Sequence, residues 1–180
     1  MLINLCLYAV ALWAIFSRFK LVHEPEEVLS RLDALFIAVE RVATVHGLEK
    51  IKTTGDAFMA AAGLLRETKD PLGSAVRCGL QMATTSIDAQ LGWAVRVGVH
   101  VGPVVAGIVG QERYQFDIWG DTVNVAARIA SKAMPASVAV THEVWAQIKD
   151  RFESESLGEL EIKGKGTIPV VAVRRETARS

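Results

Sequence analysis

The sequence predicts one domain that mixes helices and strands, and two observations carry that prediction. The chain has 180 residues, which is enough for one sizeable core and too few for two comfortable ones. Stretches with the 3.6-residue spacing of helices alternate with short runs of strand-forming residues bounded by glycine, proline and aspartate. This order predicts helices packed on a sheet in a single α+β or α/β layer. Residues 176–180 look like a solvated tail.

The first element is an apolar segment, Met1 to Phe16, which contains no charged residue. It is shorter than the roughly 20 apolar residues that a membrane-spanning helix needs, and it lacks the basic flank and cleavage site of a secretory signal. A buried strand is the leading interpretation. A marginal membrane anchor through residues 1–16, followed by the positive charges of Arg18 and Lys20, is the alternative. Residues 1–22 are therefore set apart as an atypical apolar segment.

Periodicity and turn residues predict the elements of the first half. A helix over residues 25–47 begins with a proline, which suits the first helical position. Residues 48–53 and 57–61 are predicted strands, and the short Thr-Gly-Asp connection between them places Asp56 at the tip of a hairpin. A second helix begins at an Asp-Pro pair and runs over residues 71–90.

The second half begins with a predicted central strand over residues 93–101. Gly102 and Pro103 are expected to end it, and residues 104–110 are expected to form a glycine-punctuated loop or short helix. Six further elements are predicted in order: a strand at 114–119, a helix at 121–132, a strand at 138–140, a helix at 141–149 capped by Thr141, and strands around 160–163 and 170–173.

Charge and cysteine content exclude several classes of function. Acidic and basic residues balance at 20 each, which argues against a nucleic-acid-binding surface because that needs a basic excess. The two cysteines, Cys6 and Cys78, are too few for a disulfide framework, so a reduced cytoplasmic compartment is expected. The four histidines have no metal-like spacing and are expected to be structural or exposed: His23, His46, His100 and His142.

The most informative segment is FDIWGDTVNVAARIA, residues 116–130. Asp117 belongs to its strand, and Asp121 and Thr122 are predicted to cap the following helix. Asn124 and Arg128 are four residues apart, so a helix presents both on one face. An amide beside a guanidinium suits an anionic, oxygen-rich transition state. A solvated polar face is the alternative interpretation.

Two further segments, LEKIKTTGDAFMAAAGL at 48–64 and VRVGVHVGPVVAGIVG at 95–110, stand in a fixed order with this one. Together the three resemble the catalytic domain of class III nucleotidyl cyclases, the adenylyl and guanylyl cyclases. The resemblance covers about residues 24–173 and assigns a cyclase domain to residues 23–175. It implies a ferredoxin-like, βαββαβ-type α+β fold with a mostly antiparallel sheet, and a head-to-tail dimer. The segment GPVVAGIVG lacks the terminal Lys-Ser/Thr of a phosphate-binding loop, so we interpret it as serving packing and dimer contact.

The resemblance implies that ATP becomes cyclic AMP when the ribose 3′ hydroxyl attacks the α-phosphorus and expels pyrophosphate. Two divalent ions, Mg²⁺ or Mn²⁺, are held in the family by two aspartates and stabilise the developing charge. Asp56 matches the second of these aspartates; a simple turn former is the alternative. Lys52 and Asp117 match the residues that read the purine ring, and a lysine donor with an aspartate acceptor favours adenine. A solvent-facing lysine is the alternative for Lys52.

The remaining functional residues are also carried over from the resemblance. Asn124 matches the residue that orients the ribose, and Arg128 the one that stabilises charge on the transferring phosphate. Lys163, in the segment EIKGKG, matches a lysine on the triphosphate, although glycine-flanked lysines are common on any surface.

The chain departs from the family at the first metal aspartate. Counting back from Pro25 without gaps places Leu12 at that position, and no acidic residue precedes Glu24. Leucine cannot bind magnesium, so a homodimer would offer only Asp56 at each metal site. Three consequences stay open. The chain is a weak cyclase, the purine-binding half of a heterodimer with another cyclase domain, or a degenerate domain kept for nucleotide binding or dimerisation.

Overall fold

The computed structural model describes residues 5–17, 25–88, 94–112, 114–162 and 166–177. Over these residues, eight strands form one sheet, and four helices accompany it. The strands are β1 (Leu5–Ser17), β2 (Glu49–Thr54), β3 (Ala57–Ala62), β4 (Ala94–Val109), β5 (Gln115–Trp119), β6 (Ser137–Thr141), β7 (Phe152–Ile162) and β8 (Gly166–Glu176). The helices are α1 (Pro25–Val45), α2 (Pro71–Asp88), α3 (Asp121–Lys132) and α4 (His142–Ile148).

Seven strands follow the order β2-β3-β1-β4-β6-β8-β7 across the sheet, and β5 pairs with β4 outside this path. All the paired strands are antiparallel except β4 and β6, which are parallel. The first part of the chain runs β1-α1-β2-β3-α2-β4 and places β1 between β3 and β4. This arrangement confirms the predicted α+β fold with a mostly antiparallel, βαββαβ-type sheet.

The apolar N-terminal segment forms the central strand β1. Its backbone pairs with β3 on one side and with β4 along its whole length on the other. The interpretation of this segment as a strand is therefore confirmed for residues 5–17. Within the part of the chain that the structure describes, no helix has the length and apolar character needed to cross a membrane.

The helices cover both faces of the sheet because neighbouring strand residues point in opposite directions. Phe58 of β3 packs with Met82 of α2 in an apolar cluster that α1 also joins. Its neighbour Met59 packs on the other face with Ile118 of β5 and Val123 of α3. Helices α1 and α2 thus cover one face, and α3 covers the other together with the β4–β5 hairpin.

Strand β4 corrects the prediction that Gly102 and Pro103 end a strand and that residues 104–110 form a loop or short helix. The strand is continuous over 16 residues. On the side of β4 away from β1, pairing with β6 ends at Val99 and pairing with β5 begins at Val105. A proline lacks the N–H that a flanking strand would use, so it is tolerated in this gap. Pairing with β1 keeps the backbone extended through it.

The start of α3 also differs from its prediction. The helix spans the predicted residues, but its N-cap is Gly120 rather than Asp121 or Thr122. The hydroxyl of Thr122 donates instead to the carbonyl of Pro103, at 2.7 Å. The predicted cap of α4 is confirmed, because the Thr141 side chain accepts a backbone N–H from the first turn of that helix.

Strands β7 and β8 are longer than the strands predicted around 160–163 and 170–173. Each has 11 residues, and they pair as a hairpin with two register shifts. The β7 sequence FESESLGELEI is polar, and most of its residues are exposed. Cross-strand pairing rather than apolar alternation therefore defines this strand, which is why its sequence gave a weak signal.

An ion cluster joins the start of α2 to the open end of the β7–β8 hairpin, where β7 begins and β8 ends. The Asp70 carboxylate accepts from Arg77 at 2.9 Å, from Arg151 at 2.6 Å and from the Gly73 backbone N–H at 3.1 Å. Arg77 also donates to Glu176 at 2.9 Å. Burial raises the pKa of Asp70, but the hydrogen bonds from Arg77, Gly73 and Arg151 outweigh it, so this pKa lies below its ordinary value of 3.8.

We expect Asp70→Asn to lower the free energy of unfolding by about 1 kcal/mol at pH 7, because the partly exposed cluster is screened by solvent. A carboxyl whose pKa is depressed by folding contributes stability above its unfolded pKa and loses it as pH falls through the folded value. The difference between wild type and Asp70→Asn should therefore shrink below the unfolded value of 3.8. Urea unfolding between pH 7 and pH 2.5 measures it.

The exposed loop residue Glu67 offers the matched control, Glu67→Gln, which we expect to change stability little at any pH. A stability difference for Asp70→Asn that is the same at pH 7 and pH 2.5 would contradict the assignment to its ionised carboxylate.

Candidate active site

Lys52 and Asp117 form an ion pair across the face of the sheet. The Lys52 Nζ lies 2.6 Å from Asp117 Oδ2, although β2 and β5 are not neighbouring strands. The β4–β5 hairpin folds across this face, as the packing of Ile118 against Met59 shows, and brings Asp117 to Lys52. Asp117 is buried, and its Oδ1 accepts the Ile118 backbone N–H at 2.8 Å. Both carboxylate oxygens therefore have donors, as a buried charge requires.

A cleft of about 440 Å³ opens beside this pair. Its volume is within the range of small-molecule sites. The cleft is bounded by β2, the end of β5 and the first turn of α3, and its lining residues are Lys52, Ile118, Trp119, Gly120, Asp121, Val123 and Asn124. Two residues that the sequence predicts to act on one ligand, Lys52 and Asn124, thus line a common cavity.

Helix α3 presents Asn124 and Arg128 on its exposed side. Asn124 lines the cleft, whereas Arg128 lies one turn further along and is not part of the lining. The structure therefore brings Lys52, Asp117 and Asn124 together and leaves Arg128 on the adjacent surface. A ligand that leaves the cleft along α3 would reach the guanidinium.

Asp56 lies at the tip of the β2–β3 hairpin, where the sequence predicts it, and its side chain is exposed. The preceding Gly55 has a φ of 58°, which favours glycine and makes the tight turn. Strand β2, which leads into this hairpin, also carries Lys52. Lys163, the predicted triphosphate lysine, lies outside the described residues.

The pairing of β1 shows which of its residues lie near Asp56. Leu12, the position reached by counting back from Pro25, pairs with Ala60. Ile15 pairs with Ala57, the residue directly after Asp56. The count and the pairing thus differ by three residues. They lead to the same chemistry, because the strand sequence LCLYAVALWAIFS contains no acidic residue.

These residues do not fit a complete divalent-metal site within one chain. Among the described residues, no group of three or more histidine, cysteine, aspartate or glutamate side chains is arranged to hold an ion. Asp56 supplies a single carboxylate, which by itself provides too few oxygen ligands for the octahedral coordination of Mg²⁺. Further oxygen ligands would have to come from substrate, water or a second chain.

Sequence reasoning missed Trp119 as part of the cleft. The indole is 38% exposed and lies two residues after Asp117, so the two side chains leave β5 on the same face. That spacing was a signal available in the sequence. The missed role of Thr122, by contrast, needed the fold, because its partner Pro103 is 19 residues away.

Two other groups with reactive chemistry are accounted for by packing. His100 is buried, and its Nδ1 lies 3.2 Å from the Thr141 hydroxyl at the end of β6. Burial raises the pKa of the Cys78 thiol to about 12, so this cysteine stays protonated and unreactive near neutral pH. Neither residue lines the Lys52 cleft.

The sequence model described as the adenylate and guanylate cyclase catalytic domain matches residues 13–174. The chain belongs to this family. It is 37% identical over 172 residues to the germination-specific adenylate cyclase of Dictyostelium discoideum, covering 91% of this chain and 20% of that protein. It is 32% identical over 168 residues to retinal guanylyl cyclase 2 of Bos taurus, covering 84% of this chain and 15% of that protein.

The fold of this cyclase domain is also that of solved cyclases. The guanylate cyclase domain of RhGC from Catenaria anguillulae, in complex with GTP, superposes with a TM-score of 0.87 at 24% identity, over 94% of this chain and 97% of that one. The chain spans at most a fifth of the two relatives above. Adenylate and guanylate cyclases both occur among its relatives. Family membership therefore supports the cyclase class but does not distinguish an adenine from a guanine substrate.

Proposed function

We propose that this domain converts ATP to 3′,5′-cyclic AMP and pyrophosphate, and that its metal site limits the rate when two copies pair. The observation that carries the proposal is the Lys52–Asp117 pair, 2.6 Å apart, at a cleft that Asn124 also lines. At one cavity, the pair would recognise the base of a nucleotide and the amide would orient its ribose.

The pair supports adenine through its hydrogen-bonding pattern. The Lys52 ammonium has three donors and uses one on Asp117, so two stay available. Asp117 Oδ2 accepts from Lys52 and keeps a further lone pair. The pair therefore offers a donor beside an acceptor, which complements the N1 acceptor and N6 amino donor of adenine. Because Asp117 is fixed by the Ile118 N–H, the acceptor is held in position before ATP binds.

Asn124 and Arg128 act on the other end of the nucleotide. Asn124 lines the cleft and orients the ribose, so that the 3′ hydroxyl faces the α-phosphorus. Arg128, one turn along α3, stabilises the negative charge that builds on the phosphate oxygens as the new O–P bond forms and the bond to pyrophosphate breaks. Both residues are exposed, so a second chain must close the site against water.

The metal ligands set the limit on rate. Each chain brings Asp56 and no acidic residue in β1. Each site of a homodimer then has one carboxylate for ions that neutralise a triphosphate, so we propose slow turnover.

A second candidate function is that of a partner subunit in a heterodimer. The chain keeps Lys52, Asp117, Asn124 and Arg128, while β1 carries no acidic residue. That combination fits a half-site that binds the nucleotide and relies on the opposite subunit for metal ligands. Retention of Asp56 favours the first candidate over this one.

Restoring a carboxylate on β1 tests the metal proposal. With ATP and Mn²⁺, the purified chain should form cyclic AMP slowly, and one of Leu12→Asp and Ile15→Asp should raise the rate about tenfold or more. Leu12 is the position given by the residue count, and Ile15 is the position that pairs beside the hairpin tip. Val10→Asp, on the same strand opposite Ala62, is the matched control and should not raise the rate. Wild-type turnover as fast as that of a complete cyclase would refute the proposed limit.

The base assignment predicts a change of substrate. Replacing Lys52 by glutamate and Asp117 by alanine together removes the donor–acceptor pair and supplies an acceptor for the N1–H and amino group of guanine. The ratio of kcat/KM for ATP to that for GTP should fall by about 100-fold, since each mispaired hydrogen bond costs about 1 to 3 kcal/mol. Glu159→Gln, on the exposed β7, is the control. An unchanged preference for ATP would defeat the assignment.

Mixing this chain with a second cyclase domain distinguishes the two candidate functions. The partner is a class III cyclase domain with both metal aspartates whose own base-reading lysine has been replaced. If this chain is a partner subunit, each protein alone should be silent with ATP and the mixture active, and Asn124→Ala in this chain should abolish that activity. If it is a homodimeric enzyme, it should turn over ATP alone, at a rate per chain that falls on dilution below the dimer dissociation constant.

A further inference from the structure

The Pro103 carbonyl connects β4 to the start of α3. It accepts the hydroxyl of Thr122 at 2.7 Å, and Thr122 is 4% exposed. Gly102 leaves the space for this contact, because a Cβ there would lie 2.6 Å from the Thr122 hydroxyl oxygen. Gly120 lies against the same carbonyl, since a Cβ on it would be 3.3 Å from the Pro103 oxygen.

This contact anchors the first turn of α3 together with the packing of Val123 against Met59 and Ile118. Its N-cap, Gly120, has no side chain with which to bond the free N–H groups of the turn. One turn further on, the helix rests directly on the strand, where a Cβ on Gly98 would lie 2.2 Å from the Ala126 carbonyl oxygen. The contact at Gly98 thus sets the distance between the helix and the strand, and the Thr122 hydroxyl holds the N-terminal end of the helix.

Asn124 follows two residues after Thr122 and lines the cleft. Its backbone N–H makes the first hydrogen bond of the helix ladder, to the Gly120 carbonyl at 3.4 Å. A shift of this turn away from β4 therefore moves the amide relative to Lys52. A misplacement of about 1 Å in a positioning group can lower turnover by about 100-fold.

We propose that Thr122 is a positioning residue: its hydrogen bond to the Pro103 carbonyl holds the first turn of α3 against β4 and sets the place of Asn124 at the cleft. This role rests on the proposed function for its effect on turnover. The anchoring of the turn itself does not.

The test compares Thr122→Val and Thr122→Ser in the full chain. Valine puts a methyl group where the hydroxyl donates and removes this donor from the Pro103 carbonyl, whereas serine keeps the hydroxyl. Amide hydrogen exchange in residues 124–127 should become about five- to tenfold faster in Thr122→Val, the loss expected from one hydrogen bond, and should return toward wild type in Thr122→Ser. Amides of β6 should keep their rates. Thr122→Ala removes the hydroxyl without the added methyl and serves if the valine variant does not fold.

The kinetic arm uses ATP and Mn²⁺. We expect kcat of Thr122→Val to fall about tenfold with KM within about twofold, because Asn124 acts on the reacting end while Lys52 and Asp117 hold the base. Thr122→Ser should recover most of the loss. Ser131→Ala is the matched control: it removes an exposed hydroxyl that bonds the Arg128 carbonyl at the other end of the same helix.

Each outcome decides the proposal. Unchanged exchange in Thr122→Val overturns it. Faster exchange with unchanged kcat, or a rise in KM alone, overturns the positioning role. A wild-type chain that does not turn over ATP defeats the proposed homodimeric enzyme instead, and the exchange rates still decide whether Thr122 anchors the turn.

Discussion

The contact between the backbones of α3 and β4 determines where the candidate site lies. At Gly98 the helix approaches so closely that any side chain on the strand would collide with the Ala126 carbonyl. Strand β4 also carries β1 on one edge, and β6 and β5 on the other. Because α3 rests on β4 and β5 extends from it by a hairpin, Asn124 and Asp117 are both positioned by one strand. Any shift of β4 is therefore passed to both walls of the cleft.

The second constraint on the site is electrostatic and links β5 to the edge strand β2. Asp117 is buried, and its charge is balanced by Lys52, which comes from the edge strand β2. Removing one partner of such a pair leaves an uncompensated charge and costs about 3 to 5 kcal/mol when burial is complete, whereas replacing both together is often tolerated. Under the proposed function, base recognition and local stability are therefore coupled, so a change of specificity would require both residues to change together.

The sequence predicts most of the fold, and its errors have physical causes. Helix α3 has the predicted bounds because its apolar spacing and the preceding glycine are local signals. The predicted break at Gly102 and Pro103 was wrong because pairing with β1, distant in sequence, keeps that backbone extended. For the site, Lys52 and Asp117 are 65 residues apart and were paired only through the family resemblance. The place of Trp119 was available from its spacing to Asp117, whereas the contact between Thr122 and Pro103, 19 residues apart, required the fold.

The position on β1 that corresponds to the family's first metal aspartate shows the same limit of local reasoning. Counting residues back from the helix proline assumes a connection of fixed length, whereas strand register is set by the partner strands. A strand without alternation of polar and apolar residues carries no sign of its register in its own sequence, and LCLYAVALWAIFS has no such alternation. The count and the pairing therefore select different residues, Leu12 and Ile15. The absence of a carboxylate does not depend on that choice, because it is a property of the whole strand. The lack of an acidic residue on β1 is thus a matter of composition. Under the proposed function, Lys52, Asp117, Asn124 and Arg128 would then act with ions held by Asp56 or by a second chain.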